Sequence, residues 1–217
     1  MRIPLLFLII FAISVNQANS QMNNTGDGSK SQADSLEKAK KDSLLGATLD
    51  ARIFFPVINA GKWSGVLPVK NVDARPDTSL KYKLLINLTL WNEDSASLKK
   101  INEGLTTIGR LINLHVGSGI RKENLDIVVV AHIRALNIFL TDSTFRKRFK
   151  RTNPNLETIK KLAGLNVKFF GCGQAEQYLD ISHDDLVPEL KTVFTAQSML
   201  SFYQLKGYVL FNIENEK

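Results

Sequence analysis

Cys172 is the only cysteine in the 217 residues of the chain, held between Gly171 and Gly173 in the stretch "VKFFGCGQAEQYL". A thiolate is a strong nucleophile. The run "QAEQYL" reads as a helix starting just after it, whose free N–H groups and partial positive charge favour the ionised thiol. His132 ends the apolar run "IVVVAHI" and belongs to the one residue type that ordinarily titrates near neutrality, so it can orient or carry a proton. A bland reading stands beside each: a small buried hydrophobe for Cys172, and a histidine bonded to a backbone carbonyl for His132. His115, near a helix end, and His183, before Asp184 and Asp185, read as structural. No HExxH, CxxC or His/carboxylate cluster with ligand spacing occurs, so no metal is expected. Without GxGxxG, a P-loop or GxSxG, nothing supports a nucleotide cofactor or a serine hydrolase, and no cofactor is expected.

The elements that must position these two side chains alternate along the chain from Lys81 onward. "YKLLINLTL" (82–90), "LDIVVVAHI" (125–133), "NVKFF" (166–170), "LKTVFT" (190–195) and "YVLFNI" (208–213) read as strands, the second as one buried on both faces. Asp94 and Ser95 cap a helix running to about Val116, with Leu98, Ile101, Leu105, Ile108, Leu111 and Ile112 at helical spacing. "RALNIFLTDSTFRKRFKRT" reads as one or two short helices, and Asn153-Pro154 opens another with Pro at its first position. "AQSMLSFYQLKG" is a helix closed by Gly207. Strands alternating with helices imply βαβ crossovers: an α/β fold, doubly wound, with a mostly parallel five-stranded sheet and helices on both faces. In such sheets ligands gather beyond the carboxyl ends of the strands. Cys172 and His132 both emerge at that edge.

Ahead of this domain the sequence changes character. Arg2, the apolar run Ile3 to Val15, and Ala18-Asn19-Ser20 have the form of a signal peptide cut after Ser20, which implies a periplasmic or secreted protein. About 13 apolar residues are too few for a membrane span, and no later stretch qualifies, so no membrane span is expected after signal removal. Residues 21–45 form a polar leader expected to be flexible, and 46–80 read as an ordered irregular arm. Residues 81–217 form the α/β domain. The formal net charge of +7 includes Arg2, which leaves with the signal. A positive balance favours anionic partners without speaking to fold. The run "FRKRFKR" (Phe145 to Arg151) concentrates that charge. Behind a signal peptide no nucleic-acid partner is expected for it. It reads as a solvated helical face or as a surface steering a small anion. One cysteine in an oxidising compartment cannot form an internal disulfide, so it is buried, paired with another molecule, or chemically employed.

Several segments in order give the chain a family likeness. "NPNLETIKKLAGLNVKFFGCGQA" carries a helix, a strand and a C-G-Q turn, and "DLVPELKTVFTAQSMLSFYQLKGYVL" ends in a Q-x-x-G-Y joint between helix and strand. "LINLHVGSGIRKENLDIVVVAHIRAL" supplies a helix and a strand with its histidine. Together they resemble the DsrE/DsrF-like sulfur-relay family, in its exported branch, from about residue 81 to the end. The resemblance implies a flavodoxin-like domain that oligomerises, often around a threefold axis, as a trimer or a multiple of it. It also implies a cysteine that takes sulfane sulfur as a persulfide and passes it to a partner. Cys172 is the matching residue, with Gly171, Gly173 and Gln174 shaping its turn, His132 orienting or protonating, and Arg134 drawing in an anionic sulfur donor. Partners would be a sulfur-donor or acceptor protein, or a small anionic sulfur compound. Where many members have His-Gly after the second strand, this chain has His132-Ile133-Arg134. A second reading uses the same edge without catalysis, to bind a ligand or another subunit.

Overall fold

The structure, a computed structural model, describes residues 27–215. The signal segment, its cleavage point and the first residues of the leader lie outside the described residues. The chain divides after Thr48 into two compact units. The first contains most of helix α1 (Asp27–Asp50), in which residues 35 to 45 are exposed. Among the described residues no helix is long and apolar enough to cross a membrane.

The second unit is built on five parallel strands: β1 (Tyr82–Leu88), β2 (Leu125–Ala131), β3 (Lys168–Cys172), β4 (Leu190–Val193) and β5 (Val209–Ile213). Their order across the sheet is β4-β3-β2-β1-β5. Helices α2 (Glu103–Gly117), α3 (Asp142–Phe149), α4 (Leu156–Gly164), α5 (Gly173–Tyr178) and α6 (Ala196–Leu205) connect them. This is the five-stranded doubly wound, flavodoxin-like α/β architecture expected from the alternation of elements. Side-chain alternation assigns Leu84, Ile86, Leu88, Ile127, Val129 and Phe169 to one face, where they pack in one core with Leu105, Ile108 and Ile112 of α2, Phe145 of α3 and Ile159 and Leu162 of α4. Each such buried side chain contributes roughly 1.5–3 kcal/mol. The other face carries Leu85, Val128, Val130 and Cys172, which pack under α6 with Ala196, Met199, Leu200 and Tyr203.

Two helix starts differ from expectation. Asp94 caps only a single 3-10 turn, Ser97–Lys99, by accepting from the Ala96 and Ser97 N–H groups. Lys100 is extended, and α2 begins after Asn102, whose side chain accepts from the Gly104 N–H at 2.8 Å. At that break the backbone is held by a relay of three asparagines. The Asn102 N–H donates to Asn155 Oδ1, the Asn155 N–H and amide both donate to Asn153 Oδ1, and the Asn153 amide donates to the carbonyls of Ile138 and Leu140. The same relay delays α4, which opens at Leu156 rather than at Pro154.

The segment before β1 has almost no regular structure: one antiparallel bridge, Phe54 to Val66, and a 3-10 turn, Lys62–Ser64. What orders it is Asn113, fully buried on α2. Asn113 Oδ1 accepts from the N–H groups of Val57 and Ile58 at 2.9 and 3.1 Å, and its amide donates to the carbonyls of Ile58 and Ser64 at 2.7 and 2.8 Å. One side chain thereby satisfies four backbone groups of an arm that cannot satisfy its own. Substituting Asn113→Ala leaves those groups buried without partners. The expected loss is about 3–5 kcal/mol, read as a lower midpoint in urea unfolding, and an unchanged midpoint would show that the arm is held otherwise.

Candidate functional site

Cys172 lies where the chain changes direction. From β1 to β4 the strands step one way across the sheet. β3 is followed by α5, which turns to the face of α2 and α4, where Glu176 Oε1 accepts from Thr192 Oγ1 at 2.8 Å. From β4 the chain doubles back through α6 on the opposite face to reach β5. The adjacent strands β3 and β4 thus send their connections to opposite sides, which makes their carboxyl ends the topological switch point. Cys172 ends β3, is paired with Val193, and immediately precedes α5. Its side chain faces α6, is 4% exposed, and lies among Leu85, Val128, Val130 and Ala196.

The flanking glycines answer to packing. A Cβ on Gly171 would come within 2.8 Å of Leu190 and 3.1 Å of Leu136, and one on Gly173 within 2.9 Å of the Val193 carbonyl oxygen. Neither glycine has positive φ. They let the two diverging connections approach each other, and the thiol is held between them. Gln174 is exposed in the first turn of α5.

His132 continues the β2 ladder by one residue, its N–H donating to the Leu88 carbonyl at 3.1 Å. Ala131 is paired with Gly171, so the next step along the register sets His132 beside Cys172 on neighbouring strands, which run about 4.8 Å apart. Alternation directs both side chains to the α6 face. The imidazole is fixed by a short chain of amides: Asn87 donates to Asn212 Oδ1 at 3.0 Å, and His132 Nε2 lies 2.7 Å from Asn87 Oδ1. An amide oxygen only accepts, so Nε2 carries the proton, and in the neutral ring Nδ1 holds the lone pair. Partial burial pushes the His132 pKa below its ordinary value, which favours this neutral form. The sequence reading missed Asn87 and Asn212. The available signal was an amide breaking an apolar strand near its carboxyl end, once in "LINL" and again in "LFNI".

Ile133, in the position where a glycine was noted as common, has φ of +54° and is 56% exposed. A β-branched residue in the left-handed region is strained. Next to it, Arg134 is engaged rather than free: Nη1 is 3.0 Å from Glu93 Oε1, which also accepts the indole N–H of Trp91 at 3.1 Å. An anion approaching Arg134 competes with that carboxylate. Asn137 steadies the turn by donating to the Arg134 carbonyl at 2.9 Å.

Part of the basic run is structural. Phe145 and Phe149 pack with Trp91. Arg146 pairs with Asp142 at 2.7 Å, Arg148 donates to the carbonyls of Leu179 and Asp180 at the end of α5, and Arg151 donates to Ser95 at 2.8 Å. Arg148 thus ties α3 to the segment after α5 and Arg151 ties the following loop to the β1–α2 loop, while the Arg146 pair lies within α3 and Arg146, Lys147 and Lys150 stay exposed. His115 is spent on the Leu111 carbonyl, 2.7 Å away, and lies edge-on to Tyr82. His183 is 3.5 Å from Thr192 Oγ1, on the side of the sheet away from Cys172. Among the described residues no group of His, Cys, Asp and Glu could hold a metal ion.

No protein-family profile matches this chain, and no curated protein matches it. Among the solved structures similar to this chain are two proteins. One is the protein of unknown function MTH1491 from Methanobacterium thermoautotrophicum, at 20% identity and a TM-score of 0.44, over 61% of this chain and 99% of that one. The other is the YchN protein of E. coli, at 18% identity and a TM-score of 0.44, again over 61% and 99%. The fold rests on the strand order and crossovers described above.

The strain at Ile133 has a measurable size. A residue in the left-handed region costs about 1–2 kcal/mol, while a glycine there costs the unfolded chain roughly 0.5–1 kcal/mol of added entropy. Ile133→Gly is therefore expected to stabilise the protein by about 0.5–1 kcal/mol in thermal or urea unfolding. Destabilisation would mean that the apolar side chain matters more than the backbone.

Proposed function

We propose that this chain is a DsrE-like sulfur-relay protein in which Cys172 accepts sulfane sulfur as a persulfide. The observation that carries the reading is the register of β2 and β3, which sets a lone thiol and a neutral imidazole side by side at the switch point of a parallel sheet. His132 Nδ1 takes the thiol proton. The thiolate then attacks the outer sulfur of a donor such as thiosulfate, the donor S–S bond breaks, and sulfite leaves with the bonding pair. Cys172 keeps the sulfur as a persulfide for an acceptor protein or small thiol. Gly171 and Gly173 shape the turn, Gln174 lies exposed at its rim, and Arg134, once released from Glu93, draws in the anionic donor. Burial under the first turn of α6 shields a persulfide from water, and it also requires the β4–α6 connection to move before a donor can reach the sulfur.

We further propose export to the periplasm or beyond, and self-association as a trimer or a multiple of it. The support for self-association is the thin cover on one face. α6 packs mainly over β1, β2 and β3, Leu210 of edge strand β5 is exposed, and Phe194, Phe202 and Leu205 at the start of and along α6 are exposed as well. A second reading, favoured by the 4% exposure of Cys172, is a non-catalytic module that binds a ligand or another subunit at the same edge.

Incubating the protein with thiosulfate or polysulfide is expected to add about 32 Da to the Cys172 peptide, a gain that Cys172→Ser abolishes. His132→Gln is expected to slow it on the order of 100-fold, the usual worth of a positioned general base. A native thiol that resists both the donor and iodoacetamide, and labels only after unfolding, would sink the carrier reading in favour of the binding module.

A further inference from the structure

A cleft of about 830 Å³ opens on the α2 side of the carboxyl edge, away from the thiol face and unused in the chemistry above. Its size falls within the usual range for small-molecule sites. Its walls come from the arm around Trp63, the loop between β1 and α2, and one face of α2, where Glu103, Thr106, Thr107 and Arg110 recur at helical spacing. These walls are already formed. Asn215 donates to the Trp91 carbonyl and accepts from its N–H, Asn102 caps α2, and Thr106 Oγ1 donates to the Ala60 carbonyl of the arm.

The lining is strongly one-sided in charge. Four cations, Lys62, Lys99, Lys100 and Arg110, face a single carboxylate, Glu103. Lys62 is paired with Asp50, whereas Lys99, Lys100 and Arg110 have no ion-pair partner among the described residues. Both tryptophans of the chain line the cleft. Trp91 is buried against Phe145 and Phe149, but Trp63 is 67% exposed at the rim, with Lys62 Nζ 5.1 Å from its ring. Ser97 and Thr107 add hydroxyls to the lining. Unpaired cations call for an acid group, an exposed indole for a ring, and hydroxyl side chains for a ligand rich in hydroxyls.

We propose that this cleft binds an acidic sugar, a pyranose or furanose bearing a phosphate or carboxylate. The ring lies on Trp63, the acid group among Lys99, Lys100 and Arg110, and the sugar hydroxyls against Ser97 and Thr107. The site is independent of Cys172.

Because both tryptophans are in the cleft, intrinsic fluorescence of the full chain reports on it directly. Titration with glucose 6-phosphate and with glucuronate is expected to give saturable changes that weaken at high salt, with glucose and inorganic phosphate binding at least tenfold more weakly. The two acidic sugars also separate a phosphate preference from a carboxylate preference. Combined substitution of Lys99→Gln, Lys100→Gln and Arg110→Gln is expected to weaken binding at least tenfold by calorimetry. Trp63→Ala should weaken the acidic sugars while leaving inorganic phosphate unchanged. These side chains are exposed, so melting temperature and circular dichroism should match the parent protein. Cys172→Ser should bind like the parent, which keeps this result separate from that of the thiol. Absence of saturation by either acidic sugar, equal affinity for inorganic phosphate, tighter binding of adenosine monophosphate, or indifference to the substitutions would each overturn the proposal.

Discussion

A parallel sheet carries apolar side chains on both faces, and both have to be covered by the helices that connect its strands. Here that requirement is met unequally. The crossovers from β1 to β4 step in one direction, so right-handedness keeps their helices on one face. When the chain doubles back from β4 to β5, the same handedness sends α6 to the other face, where it packs over Leu85, Val128, Val130 and Cys172. The switch point between β3 and β4, the burial of the thiol and the exposed apolar groups along α6 all follow from this one asymmetry.

The same geometry sets the terms of any chemistry at Cys172. A strand end at a switch point is where the backbone diverges and a pocket can form, yet the divergence here is closed tightly. Gly171 makes room for Leu190 and Leu136, and Gly173 for the Val193 carbonyl. The thiol therefore gains a defined neighbour in His132, whose ring is fixed through Asn87 and Asn212, at the expense of direct solvent access. Burial keeps the imidazole neutral with a lone pair free to take a proton, yet by lowering its pKa it also makes the ring a weaker base, and donor approach is opposed by the burial of the sulfur.

Side-chain amides hold the irregular parts together. Asn113 supplies the arm with the hydrogen bonds that a strand would have taken from a neighbour, and the Asn102, Asn155 and Asn153 relay joins the starts of α2 and α4. Both devices stiffen walls of the basic cleft. Glu93 ties the same region to the turn after His132, because it receives both the Trp91 indole and Arg134. The two candidate sites thus share a support while facing different sides of the sheet.

The five strands were legible from the sequence because their signal is local: runs such as "LDIVVVAHI" are apolar throughout, as burial on both faces demands. The alternation of strand and helix then implied parallel crossovers and directed attention to His132 and Cys172 at strand ends. The start of α2 was not legible. Asp94 is as good a local cap as Asn102, and what decides between them is Asn155, 53 residues further on. The basic run was legible only in part: Arg146, Lys147 and Lys150 form the solvated face that its composition suggests, whereas the partners of Arg148 and Arg151 lie just past α5 and in the β1–α2 loop, far away in sequence. Residue types and their positions along the strands were thus determined by the sequence alone. Register, burial of the thiol, the partner of each arginine and the convergence of two tryptophans with three unpaired cations were decided only by tertiary structure, because each depends on contacts between segments that no local pattern encodes.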